Sequence, residues 1–178
     1  DYAGERVHCK IPVISGLELI DRLNNSTGKK SVAIAIGDPK DRRMAYNQLP
    51  KMDIDFQVLI HPSVKYDARE NRIFFGRGTI VCAGSILTTN IRIGTFVHIN
   101  LDCTIGHDVD IGDFCTLSPG VHISGKVKIG NDVFLGTGAV ILPGIEIGSG
   151  SKIGAGAVVI QNVSPNTTVV GVPAKPAK

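Results

Sequence analysis

The sequence predicts two pieces in series: a small α/β unit over residues 1–60 and a three-sided parallel β-solenoid over residues 61–178. Three observations predict this. Residues 1–60 alternate short apolar, β-branched runs with capped helical segments, the pattern of strands joined by crossover helices. From Phe75 onward an apolar residue returns at every sixth position for fifteen hexads without insertion. Glycine often follows that apolar residue, as at Gly94, Gly112, Gly130 and Gly148.

In the first piece IPVI (11–14) reads as a short buried strand. Ser15 then caps a helix through about Asn24, and Glu18 completes a capping box. SVAIAIG (31–37) is a second strand, followed by Asp38 as cap and Pro39 in the first helical turn, where a missing N–H costs nothing. FQVLI (56–60) is a third strand, and His61-Pro62 marks the exit because the residue before proline leaves the helical region. Strand–helix–strand–helix–strand implies a partial Rossmann-like parallel sheet. It carries no G-x-G-x-x-G; the first strand-to-helix turn, where that loop belongs, would fall before Asp1, so the unit is expected to be N-terminally incomplete.

In the second piece the sixth-residue series runs from Phe75 and Val81 to Ile153 and Val159, apolar throughout. Four residues after each stands a small or β-branched residue, from Thr79 and Ser85 through Cys103, Cys115 and Ala139 to Val163. A helical period of 3.6 cannot generate this, and simple strand alternation cannot sustain it. A hexapeptide period means a β-helix: three hexads make one 18-residue rung, both apolar series point inward, and rungs stack about 4.8 Å apart. Fifteen hexads predict five rungs.

The formal charge is +3 with no basic run or interleaved aromatic stripe, which argues against nucleic acid, and no apolar stretch is long enough for a membrane span. Cys9, Cys82, Cys103 and Cys115 show no CxxC spacing and read as buried free thiols of a reducing, cytoplasmic compartment.

His107 breaks the blandness of the repeat. It takes the third position of its hexad, at an outward corner, and counting 18 residues either way gives one edge: Thr89, His107, Gly125, Pro143, Gln161. A titratable ring there has a glycine beside it, which leaves space. A prism needs no histidine at an outward corner, whereas imidazole suits general base chemistry near neutral pH. Asp108 would hold the ring tautomer and stabilise the imidazolium that forms.

These residues resemble the hexapeptide-repeat acyltransferases, whose prism is a left-handed parallel β-helix. Within them the chain is similar to the sugar O-/N-acetyltransferases that include sialic-acid O-acetyltransferases and enzymes acting on nucleotide-linked 4-amino-4,6-dideoxy sugars. The matching pieces are VAIAIGDPKDRR, LIHPS, NLDCTIGHDVDIGDFC, GKVKIGNDVFLGTGAVILPG and VVGVPAK. The resemblance implies acetyl-CoA as co-substrate, a homotrimer with active sites between subunits, His107 as catalytic base with Asp108 beside it, and acetyl-CoA contacts at Thr116, Gly125, Thr137 and Ala155. Where some relatives carry a second histidine that touches acetyl-CoA, this chain has Thr116, whose hydroxyl is expected to offer a hydrogen bond. Asp1 falls where the family has an acidic residue near the nucleotide base. The family's glycine-rich nucleotide loop has no counterpart here.

The favoured acceptor is the amine of a nucleotide-linked 4-amino sugar, with a sugar hydroxyl of sialic-acid type as the near alternative. A γ-carbonic-anhydrase-like zinc enzyme shares the prism but needs converging histidines; His98, His107 and His122 are separated by 9 and 15 residues and fall on different faces. A non-catalytic rod would leave the α/β unit and the Gly-His-Asp corner without purpose.

Overall fold

The computed structural model describes residues 6–8, 11–13, 16–28, 30–49 and 54–177. Ser15 and Cys9 lie outside them, so the expected cap of the first helix and the first of the four thiols are not placed.

In the N-terminal piece β1 (Arg6–His8) and β2 (Ile11–Val13) form an antiparallel hairpin, followed by α1 (Gly16–Asn25). The IPVI run is therefore a hairpin strand, where the sequence predicts a strand of the parallel sheet. A separate parallel pair joins β3 (Lys30–Ser31) to β4 (Ile54–Asp55) across α2 (Pro39–Gln48). Asp38 caps α2 as expected, accepting from the amides of Lys40 at 2.8 Å and Asp41 at 3.2 Å. The regular part of the SVAIAIG strand is shorter than predicted: beyond Ser31 one further ladder bond, Val32 N to Asp55 O at 3.1 Å, continues it.

The FQVLI run divides between the two pieces. Phe56 packs under the α/β unit, whereas Leu59–Ile60 pairs in parallel with Ile80–Val81 in the prism. Lys65–Tyr66 likewise pairs with Ile86–Leu87. The prism thus begins some fifteen residues before the hexad series, giving about six turns where fifteen hexads predict five. Ile60 and Tyr66 keep the six-residue step, but nine residues separate Tyr66 from Phe75, and this bulge hides the first turn from a periodicity count.

Three parallel sheets form the faces of a left-handed β-helix. The first face runs through Ile80–Val81, His98–Ile99, Thr116–Leu117, Phe134–Leu135 and Lys152–Ile153. The second runs through Ile86–Leu87, Thr104–Ile105, His122–Ile123, Val140–Ile141 and Val158–Val159. The third runs through Ile73–Phe75, Ile91–Ile93, Asp110–Ile111, Lys128–Ile129 and Glu146–Ile147.

Partners in register are 18 residues apart along the regular part, so each inward aliphatic stacks on another. From Val81 to Val159 that series is at most 4% exposed, each side chain contributing about 1.5–3 kcal/mol by burial. The small series is buried as well, and its polar members have a shared partner. Thr79 and Ser85 hydroxyls donate to the carbonyls of Gly94 (3.0 Å) and Asn100 (2.9 Å), and the Cys103 and Cys115 thiols to those of Ser118 (3.3 Å) and Gly130 (3.0 Å). In each case the acceptor lies fifteen residues on. Cysteine here substitutes for serine as a compact donor. Burial pushes the Cys103 thiol up to about 11 and Cys115 up to about 12, so neither is a thiolate at neutral pH.

Each corner needs a left-handed residue, recurring every six positions from Gly78 to Gly156. Glycine, Asn or Asp fills most of these sites, as backbone sterics require. Phe96 (φ 53°) and Phe114 (φ 56°) are bulky exceptions, and both lie beneath the α/β unit. Their rings stack at 5.0 Å, with Tyr46 4.7 Å from Phe96 and Phe56 5.0 Å from it.

Candidate active site

The edge between the second and third faces carries Thr89, His107, Gly125 and Pro143 in successive rungs. His107 stands outward there, its side chain 57% exposed. Its backbone is fixed from both sides: Lys126 N donates to His107 O at 2.8 Å, and Asp108 N to Thr89 O at 3.2 Å. Gly125 is the reason the ring fits. A Cβ on residue 125 would lie 2.6 Å from His107 Nε2 and 2.8 Å from Cε1, well inside contact distance.

Asp108, in the left-handed region at φ 58°, brings Oδ2 to 2.7 Å from His107 Nδ1. The aspartate therefore reaches its own neighbour's ring. Its other oxygen accepts from the Asn90 side-chain amide. That amide, then the His107 hydrogen bond, holds the Asp108 carboxyl below its ordinary value. An ionised carboxylate can only accept, so Nδ1 carries a ring proton, and in the neutral ring it is Nε2 that holds the lone pair. The free nitrogen faces the slot over Gly125, the arrangement a general base requires.

Thr137 and Ala155 occupy the edge between the first and second faces, both exposed. Beside them Gly120, Gly138 and Gly156 take the left-handed corner positions, and no heavy atom comes closer than 4.0 Å to a Cβ built at any of them. The result is a strip of bare main chain three rungs tall. Thr116 stands on the first face, under the α/β unit. It is 3% exposed; its hydroxyl donates to Gly37 O at 2.6 Å and accepts from Arg42 at 2.9 Å. That hydroxyl is held beneath the α/β unit by these two bonds. Asp1 lies outside the described residues.

Arg42 is the residue that sequence reasoning missed. It leaves α2, is 1% exposed, and donates to the carbonyls of Ile36, Gly37, Phe96, Phe114 and Cys115. Burial lowers its guanidinium to about 10, still charged at neutral pH. Its neighbour Arg43 forms a bidentate pair with Asp132, both contacts at 2.8 Å, and covers the Phe114 ring at 4.0 Å. The run DPKDRR announces two arginines without saying which enters the interior. Asn90 was missed too, although the 18-residue count places it on the edge that carries Asp108.

The other histidines have separate partners: His98 Nε2 lies 3.7 Å from Cys82 Sγ, and His122 Nδ1 2.8 Å from Thr104 Oγ1. Among the described residues no three His, Cys, Asp or Glu side chains converge as a metal site.

Comparison with known proteins agrees with this geometry. Residues 126–161 match the family model described as bacterial transferase hexapeptide (six repeats). PerB from Caulobacter crescentus, solved with CoA and GDP-perosamine, superposes with a TM-score of 0.87 at 30% identity over 96% of this chain and 80% of that one. The acetyltransferase domain of PglB from Neisseria gonorrhoeae gives 0.81 at 30% identity, covering 99% and 84%. A GDP-perosamine N-acetyltransferase of Escherichia coli O157:H7 is 35% identical over 93 residues, 52% of this chain and 40% of that protein's length. The fold and these matches define a hexapeptide-repeat acyltransferase. The chain belongs to the family of hexapeptide-repeat sugar acetyltransferases to which PerB and PglB belong.

Proposed function

We propose that this chain is an acetyl-CoA-dependent N-acetyltransferase acting on the amine of a nucleotide-linked 4-amino-4,6-dideoxy sugar, with His107 as general base. The observation that carries this reading is the His107 ring, fixed through Nδ1 by Asp108 and presenting Nε2 over Gly125. The names of the relatives support the acceptor: PerB was solved with CoA and GDP-perosamine, and the E. coli relative is called a GDP-perosamine N-acetyltransferase.

Acetyl-CoA supplies an activated acyl thioester. His107 Nε2 takes the proton that the acceptor nitrogen loses as it attacks the thioester carbonyl, Asp108 stabilises the imidazolium so formed, and the C–S bond breaks to release CoA as its thiolate. Thr137, Ala155 and the glycine strip beside them would hold the extended arm of the co-substrate, and Gly125 the space in front of the base. In one chain, however, the strip and His107 lie on different edges of the prism, with the second face between them. A second copy would bring its own His107 edge to the strip.

The faces support this reading. From Ile86 on, the outward residues of the second face, Ile86, Thr104, His122, Val140 and Val158, include no carboxylate, lysine or arginine, and Lys65 stands alone at the end of the face. Arg92, Asp110, Lys128 and Glu146 alternate in charge along the third. We therefore assign the second face to a homotrimer whose sites lie between copies. Sugar-nucleotide recognition is assigned to the N-terminal α/β unit, and a cytoplasmic location fits the free thiols of half-buried Cys82 and buried Cys103 and Cys115.

The test is a panel of UDP-, GDP- and dTDP-linked 4-amino-4,6-dideoxy sugars and sialic acid with acetyl-CoA, read by thiol release and product mass. Acetylation of an amino sugar at nitrogen is expected. Acetylation of the sialic-acid hydroxyl alone would replace the amine with the O-acetyl reading, and no thiol release with any acceptor would contradict both. Sedimentation beside the assay is expected to find activity only in the trimer; a fully active monomer would contradict the shared site.

A further inference from the structure

The carboxylate that orients His107 has a second anchor. Asp108 uses Oδ2 for His107 Nδ1, and Oδ1 accepts from Asn90. Among the described residues these are its side-chain partners, and Lys126 is the other charged group near it. Asn90 stands 18 residues earlier, one rung away on the same edge, and both residues occupy left-handed corners at φ 56° and 58°. A carboxylate held through one oxygen can still swing about its last torsion, which is broad for aspartate. Held through both, its plane is fixed.

Backbone needs do not explain the choice of asparagine. Gly84, Gly120, Gly138 and Gly156 fill equivalent corners with no side chain at all. What Asn90 adds is the amide. Nor does the corner depend on that amide. Asp108 N bonds Thr89 O, and Thr89 Oγ1 donates to Asp67 Oδ2 at 2.7 Å, which Arg69 clasps at 2.7 Å. The rung below His107 is thus tied down by its own network.

We propose that Asn90 is a positioning residue: its amide fixes the Asp108 carboxylate, which in turn keeps His107 protonated at Nδ1 with Nε2 open towards Gly125. This rests on the reading of His107 as the base.

Two variants suited to left-handed corners test it, Asn90→Gly and Asp108→Gly, singly and together. Asn90→Gly is expected to lower kcat/KM for thiol release about 10-fold, as loss of an orienting partner does, with an unchanged melting temperature. In the Asp108→Gly background the same substitution is expected to change kcat/KM by less than about 2-fold, because the effect has no other route. Independently of turnover, the Asp108 13Cγ titration is expected to move up in Asn90→Gly, and the His107 15N shifts to show a mixture of ring tautomers.

An unmoved Asp108 titration with an unmixed tautomer would overturn the proposal, as would an equal loss of activity in the double variant. An inactive wild-type protein whose spectra respond as described would instead overturn the acetyltransferase reading and leave the positioning role standing.

Discussion

Two edges of the same prism have been put to opposite uses. Both turn through left-handed residues at six-residue spacing, and both carry a non-glycine side chain where glycine would be the easy choice. On the edge under the α/β unit those residues are Phe96 and Phe114, packed against Phe56 and Tyr46 and sealed by Arg42, and Asp132, paired with Arg43. On the other edge they are Asn90, Asp108 and Lys126, open to solvent around His107. Left-handed backbone in a bulky residue costs on the order of 1–2 kcal/mol. The covered edge offsets this by packing. The open edge is offset by side-chain hydrogen bonds at Asn90 and Asp108, and among the described residues the Lys126 side chain has no such bond. The repeat supplies a generic corner, and what is laid on it decides between docking and chemistry.

The largest expected effect tests the covered edge. Arg42→Met removes the donor of five main-chain carbonyls and is expected to destabilise by about 3–5 kcal/mol in denaturant titration. A loss under 1 kcal/mol would mean the guanidinium does not hold the α/β unit down.

Gly125→Ala probes the open edge, placing a Cβ where the His107 ring now sits. It is expected to lower kcat/KM about 100-fold, since ångström displacements of catalytic groups cost that much, with only a small change in melting temperature. Unaltered turnover would show that the ring has another productive position.

A pair of substitutions sharpens the contrast by sign. Phe114→Gly relieves backbone strain but empties the aromatic cluster, and is expected to destabilise by about 2–3 kcal/mol. Lys126→Gly relieves similar strain with nothing packed to lose, and is expected to stabilise by about 0.4–1 kcal/mol. Equal signs in thermal unfolding would refute the difference drawn between the two edges.

The smallest effect concerns acid. Arg69 first, then Thr89, holds the Asp67 carboxyl well below the usual carboxylate range. A depressed carboxyl contributes stability above its unfolded value, about 3.9, and that contribution is lost as pH falls further. The wild type is therefore expected to lose stability more steeply than Asp67→Asn between about pH 4 and 2. Parallel curves would remove Asp67 from the support of the corner.

Much of this was legible in the sequence because a period of six is a strong constraint on a chain. The aliphatic and small series map straight onto the interior, and the 18-residue count alone places His107 beside Gly125. The first prism turn was illegible because three extra residues between Tyr66 and Phe75 break the register. Strand type in the α/β unit was misread at IPVI and FQVLI, since short apolar runs carry no information about their partners. Arg42 and Thr116 escaped for a related reason: they meet across 74 residues, and their pairing exists only once the unit has docked.

The central claim is that Nε2 of His107 takes the proton from the attacking acceptor. Its most direct test is His107→Asn, assayed for thiol release with saturating acetyl-CoA and the preferred acceptor. The expected result is a fall in kcat/KM of about 10²–10⁴-fold with the melting temperature and the sedimentation behaviour unchanged. Turnover within a few-fold of wild type would contradict it.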